Sequence, residues 1–286
     1  MANKTDAVLV DKSDDGITVI TINRPHRRNA VDPATSKKLY DAVLAFEKDP
    51  TQKVAILTGS GGTFCAGADL HEVASMRSSG TATAPSSSSG PPEIQPPSAG
   101  HRTLGPMGPS RLTPTKPLIA AIAGHAVAGG LELSLLCDLR VVEEDAVLGV
   151  FCRRWGVPLI DGGTARLPAI IGLGRALDLI LTGRPVGALE ALGLGLANRV
   201  VAKGQALPEA RRLAEQIAGF PQACMLADRK SAYYAAYGAG SFEDALGKEW
   251  ENGYRVVELE GVKGAAEFSR GAGRHGVFRE VGKSKL

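Results

Sequence analysis

Two short runs of small residues, Ala66-Gly67-Ala68 and Ala128-Gly129-Gly130, each stand where an extended segment turns into a helix. Amide hydrogens in the first turn of a helix have no internal acceptor, and the helix dipole adds positive potential, so such a turn can donate to an anion. Two of them aimed at one point would hold a negatively charged oxygen, and small side chains let a carbonyl approach the backbone closely. Either run alone is as well explained as a packing device. Glu132 follows the second run on the first helical turn, among Leu131, Leu133, Leu135 and Leu136. A carboxylate in apolar surroundings can move protons; the plainer reading is an acid favoured by the helix dipole.

The elements that must position these groups alternate between strand and helix. The segment 16–22 alternates β-branched and polar residues and breaks at Asn23-Arg24-Pro25, as a strand entering a turn does. Asp32 and Pro33 open a helix with Leu39, Val43 and Phe46 on one face. A buried strand is predicted over 54–58, then a flexible loop over 59–62, then a short helix from Leu70. From 78 to 114 the composition turns to Ser, Thr, Gly and Pro, which predicts a mobile loop. Strands are expected over 116–122, 139–142 and 146–150, around an apolar helix over 131–137 that Asp138 closes. Residues 152–167, rich in Gly and Pro, carry Asp161, and helices follow over 175–181, 188–192, 209–217, 222–237 and 242–259. Two regions result, 1–201 mixed and 202–286 helical, the latter suited to subunit contacts.

With 286 residues, 44% of them hydrophobic, the chain can bury one large core or two small ones. Net charge is only +3, and the basic residues are dispersed without interleaved aromatics, which argues against a nucleic-acid surface. No apolar run approaches the roughly 20 residues that span a bilayer, and the opening residues are too polar for a signal peptide. Cys65, Cys137, Cys152 and Cys224 are too scattered for a metal site or a disulfide framework and fit a reducing compartment. His125 has no second ligand at metal spacing, Trp155 reads as core or pocket wall, and Cys65 as packing beneath its loop. Without a dinucleotide fingerprint or P-loop, no cofactor is expected. Ser284-Lys285-Leu286 matches the address read by the peroxisomal import receptor, which predicts that organelle.

Phe64-Cys65-Ala66-Gly67-Ala68-Asp69, Lys116-Pro117 and the run from Gly124 to Asp138 resemble the paired signatures of the enoyl-CoA hydratase/isomerase, or crotonase, superfamily. Asn23-Arg24-Pro25 with Asn29-Ala30, Gly162-Gly163-Thr164, Arg166-Leu167, Leu181-Thr182-Gly183 and Gly195-Leu196-Ala197 extend the likeness over most of residues 15–201. The resemblance implies an α/β spiral of ββα units, a helical C-terminal trimerisation region, assembly as a homotrimer or a dimer of trimers, and an acyl-CoA thioester substrate. By motif position it places the oxyanion donors on the amides of Ala66 and Gly129. It places substrate and CoA contacts at Arg24, Asn29, Ala30, Ala66, Ala68, Asp69, Leu70 and Gly129, and a catalytic carboxylate at Glu132.

Hydratases of this family bear a second glutamate where Cys152 stands here. A thiol with an ordinary pKa of about 8.5 is mostly neutral and a poor substitute, so Cys152 is either an acid/base group or a small apolar core residue. Asp161 offers a replacement carboxylate, as an aspartate at the comparable turn does in dienoyl-CoA isomerases and an aromatic-acyl-CoA dehalogenase; its alternative is a helix cap. Three activities are therefore expected in turn: hydration of a 2-enoyl-CoA, isomerisation of an enoyl- or dienoyl-CoA through Glu132 and Asp161, and acyl-CoA binding without chemistry.

Overall fold

The computed structural model describes residues 5–75 and 103–273. The central low-complexity stretch and Ser284-Lys285-Leu286 lie outside them. Contacts divide the chain between Ala214 and Glu215.

In the first unit, β1 (Val8–Lys12), β2 (Ile17–Ile22), β3 (Val54–Gly59), β4 (Leu118–Ile122), β6 (Leu139–Glu143) and β9 (Arg199–Val201) form a sheet in the order β1-β2-β3-β4-β6-β9. Only β1 runs antiparallel to its neighbour; the registers Ile17↔Val54, Ala55↔Leu118, Ile119↔Leu139 and Val141↔Arg199 are parallel. Parallel strands are covered on both faces, which is why β3 and β4 read as unbroken apolar runs and are buried along almost their whole length. A second sheet joins β5 (His125–Val127), β7 (Val147–Gly149) and β8 (Val186–Gly187).

Helix α1 (Pro33–Lys48) starts where Asp32 accepts the amide of Thr35 at 2.7 Å, a cap worth about 1 kcal/mol. It buries Leu39, Val43 and Phe46. Its far end is held by Lys116, whose Nζ donates to the carbonyls of Phe46, Asp49 and Gln52. Further on lie α2 (Leu70–Ser75), α3 (Gly129–Leu136), α4 (Gly163–Ile171), α5 (Leu173–Thr182) and α6 (Ala188–Leu194). Asp138 both receives the amide of Leu118 and donates its own to the Leu118 carbonyl, tying the end of α3 to the start of β4.

The predicted mobile loop needs correction over its last part. Residues 103–114 include a 3-10 turn, Pro109–Arg111, and bury Met107, Ser110 and Leu112 completely or nearly so. Apolar Met107 and Leu112 have a core to enter, and that burial outweighs the local Gly and Pro content.

α7 (Ala206–Ala218) crosses the division between the units, which therefore falls later in the chain than Val201. The second unit is helical: α8 (Gln222–Tyr237), α9 (Phe242–Val256), a π turn (Val257–Gly261) and α10 (Val262–Ser269). The π turn carries Glu260, whose carboxylate accepts the amides of Ala223 and Cys224 in the first turn of α8. Among the described residues no helix is long and apolar enough to cross a membrane.

Candidate active site

Two stitches bring the small-residue turns together. Cys65 pairs with Ala126, its amide donating to the His125 carbonyl at 2.9 Å while its carbonyl accepts the Val127 amide at 3.1 Å. A β-carbon on Gly67 would lie 2.9 Å from the Ala128 Cβ and 3.0 Å from the Gly129 nitrogen, and one on Gly130 would collide with the Cys65 carbonyl. Only glycine permits this approach. At the N-cap of α3, Ala128 holds φ 54°, ψ −126°, a conformation costly for a residue with a side chain.

The free amides differ in one place from the expectation. Ala66 donates its N–H to the Arg28 carbonyl at 3.1 Å, so this amide is already engaged. Ala68 pairs with Val31 through its neighbours: the Val31 amide reaches the Gly67 carbonyl at 2.8 Å, and the Asp69 amide reaches the Val31 carbonyl at 2.9 Å. A parallel bridge of this kind turns the middle residue's own N–H the other way, and none of the described residues accepts it. Gly129, first in α3, likewise has no acceptor for its amide among the described residues. Ala66, Ala68 and Gly129 all line one cavity of about 690 Å³.

Glu132, Cys152 and Asp161 line the same cavity and are buried. Glu132 Oε1 accepts the amides of Asp161 at 3.0 Å and Gly163 at 2.8 Å, while Oε2 receives no donor from the described residues. Asp161 is arranged in the same way. Its Oδ1 accepts the Met107 amide at 3.0 Å and the Ser110 hydroxyl, and its Oδ2 receives no donor from the described residues. Helix α4 is capped at Gly162 without a side-chain bond, so capping is not what Asp161 does. Burial, then the neighbouring Asp161, pushes the Glu132 carboxyl up to about 7; burial also raises that of Asp161, against the pull of its two donors and of Arg111 and Arg166.

Burial and then Glu132 raise the thiol of Cys152. Arg153 and Arg154 do little to reverse this, because they donate to the carbonyls of Ile180 and Gly183 instead. The thiol is a neutral wall of the cavity at neutral pH. Cys65 packs beneath its loop, fully buried and pushed up to about 12. Trp155 is wall rather than core, since it lines the cavity while remaining 71% exposed.

Of the expected CoA contacts, Asp69 and Leu70 line the cavity, and Arg24, Asn29 and Ala30 do not. Arg24 is spent on Asp32 at 2.8 Å, Asp69 at 3.2 Å and the Ala30 carbonyl. Asn29 is fully buried and bonds the carbonyls of Ser60 and Thr63. Exposed Arg28 lines the cavity in their place, turned there by a left-handed backbone at φ 51°. Sequence reasoning also missed Met107 and Ser110, which sit in a stretch whose composition signals only loop.

Comparison with known proteins places this geometry. The enoyl-CoA hydratase/isomerase family model matches residues 12–90 and 111–263. An enoyl-CoA hydratase of Mycobacterium tuberculosis, EchA19, is 38% identical over 70% of this chain and 70% of its own. The human mitochondrial enoyl-CoA hydratase domain-containing protein 2 is also 38% identical, over 73% of this chain and 68% of its own. Among solved structures, an enoyl-CoA hydratase from M. tuberculosis H37Rv superposes with a TM-score of 0.79 at 35% identity, covering 92% of this chain and 96% of that one.

Proposed function

Because the chain belongs to the enoyl-CoA hydratase/isomerase family and is an enoyl-CoA hydratase-like enzyme, we propose that it adds water to a 2-enoyl-CoA thioester with Glu132 and Asp161 as the acid/base pair. The observation that carries this reading is the meeting of two pinned carboxylates, each with one open oxygen, beside two free amides. The thioester oxygen would take the amides of Ala68 and Gly129, not of Ala66. Each such donor contributes a few kcal/mol of transition-state stabilisation, in roughly the range found for oxyanion-hole deletions.

With the carbonyl so held, water attacks Cβ. Asp161 accepts a proton from that water as the C–O bond forms, and the electrons of the double bond pass to the thioester oxygen. Glu132, substantially protonated near pH 7, delivers its proton to Cα as the enolate collapses. The proton left on Asp161 then returns to Glu132, whose Oε1 is held by the Asp161 amide. Cys152 takes no proton.

One observation favours a second reading. A neutral thiol at the position of the second family glutamate leaves the water site with less charge, and a Glu132/Asp161 pair would suffice to move protons between carbons in an isomerase. A panel of saturated, 2-enoyl, 3-enoyl and dienoyl CoA thioesters, read by mass and absorbance, separates the two. Hydration converts the 2-enoyl thioester to a 3-hydroxyacyl product heavier by one water; isomerisation gives unchanged mass with a displaced double bond.

The helical C-terminal region also supports assembly as a trimer or a dimer of trimers. Phe242, Trp250, Leu259 and Phe268 are exposed there, as a subunit interface would need. Sedimentation of the full chain as a monomer at micromolar concentration would contradict that assembly.

A further inference from the structure

Asp161 is gripped by a segment that lies far from it in sequence. The turn 105–108 closes on itself, the amides of Gly105 and Gly108 donating to each other's carbonyls at 2.9 and 2.8 Å. Ser36 fastens it from α1 by donating to the Gly105 carbonyl at 2.9 Å. The turn aims the Met107 amide at Asp161 Oδ1, and the next residues enter the 3-10 turn that carries Ser110. Ser110 is fully buried, and its hydroxyl donates to the same Oδ1. Arg166 of α4 fixes the far side, donating to the carbonyls of Ser110 at 2.6 Å and Leu112 at 2.9 Å. Space is tight: a β-carbon on Gly105 would stand 2.7 Å from Asp161 Oδ1.

The geometry points to Ser110 as a positioning residue for Asp161, one that occupies Oδ1 so that Oδ2 is presented to the substrate as the proton acceptor. It rests on the reading of Asp161 as the base. A hydroxyl that donates to a carboxylate favours the charged form, and a hydrogen bond to a charged partner is the strong kind. Glu132, by contrast, is held by two backbone amides and no side-chain donor among the described residues. The division of labour within the pair is thus adjustable at one side chain. The charged and titratable groups around Asp161 are Glu132 from α3, Arg111 from the 3-10 turn and Arg166 from α4, with Cys152 facing Glu132.

The test compares Ser110→Ala and Ser110→Thr in the full chain, with and without Asp161→Asn, using 2-butenoyl-CoA and measuring product by mass. Loss of the hydroxyl should lower kcat roughly 10-fold or more with little change in KM, and raise the acid limb of the kcat/KM profile by roughly one pH unit. Ser110→Thr, which keeps a hydroxyl, should restore the limb. In the Asp161→Asn background Ser110→Ala should have no further effect, because the group it positions is gone. An equal loss in both backgrounds, or an acid limb that stays in place, would overturn the positioning role even if the variant were less stable. Wild-type activity in Asp161→Asn alone would overturn the assignment of Asp161, and this proposal with it. Asp161→Asn impaired beside a fully active Ser110→Ala would leave Asp161 as base and refute only the role of Ser110.

Discussion

Replacing Gly163 with alanine should damage catalysis while sparing the fold. Gly163 is the first residue of α4, where alanine is at least as acceptable as glycine and up to about 1 kcal/mol better in a helix interior. A β-carbon there would lie 2.8 Å from Glu132 Oε1, 2.9 Å from its Cγ and 3.1 Å from its Cδ. Glu132 is buried and cannot swing aside without giving up the amides of Asp161 and Gly163 that hold Oε1. One charge-assisted hydrogen bond, about 1.5–3 kcal/mol, is at stake, so kcat/KM should fall roughly 10- to 100-fold. The assay is hydration of a 2-enoyl-CoA followed by loss of conjugated absorbance, alongside a thermal melt. Gly174→Ala is the control: that glycine is exposed in α5, and a β-carbon on it meets nothing within 4 Å. Full activity in Gly163→Ala at an unchanged melting temperature would refute the idea that the Gly163 amide sets the Glu132 carboxylate.

Glu132 also makes a prediction about stability. Its carboxyl titrates near 4.5 when unfolded and at about 7 when folded, so between those values the folded chain holds more protons and this group makes stability fall as pH rises. Denaturant midpoints from about pH 5 to about pH 8 should therefore decline less in Glu132→Gln than in the parent, and parallel declines would contradict the shift. Ala128→Gly should stabilise the protein by about 1 kcal/mol, since relief of a backbone costing roughly 1–3 kcal/mol exceeds the added freedom of the unfolded glycine. An unchanged or lower urea midpoint would argue against strain at Ala128. Native protein treated with iodoacetamide should be modified at exposed Cys224 first, because Cys65, Cys137 and Cys152 are buried with raised thiols. Peptide mapping that found Cys152 reacting as fast as Cys224 would show that it is not a neutral wall.

Local chemistry made much of the fold legible. Asp32 before Pro33 predicted the start of α1, and apolar runs predicted β3 and β4, because caps and buried strands are written in adjacent residues. β1 was not foreseen: Val8-Leu9-Val10 is a short edge strand that runs into Asp11 and Lys12, and its pairing with β2 is what orders it. No strand was predicted at β5, since three residues are too few to show a period and only β7 reveals them as a strand. Within the site, Glu132 and Asp161 could be named from their motifs, but their mutual grip could not, because it runs through backbone amides twenty-nine and thirty-one positions away from Glu132. Ala66 was chosen over Ala68 as donor for a related reason. Which amide of a turn is left free depends on the strands flanking it, here Val31 on one side and Ala126 on the other. Ser110 carried no local signal at all, standing at the end of a stretch whose composition resembles linker.

The most direct test of the paired-carboxylate mechanism is the rate at which Asp161→Asn incorporates oxygen from ¹⁸O-labelled water into a 2-enoyl-CoA, with Cys152→Ala measured beside it. Acid/base work shared by Glu132 and Asp161 predicts a loss of at least ~10²-fold for Asp161→Asn and none for Cys152→Ala. Incorporation at the parent rate by Asp161→Asn, with loss in Cys152→Ala, would contradict it.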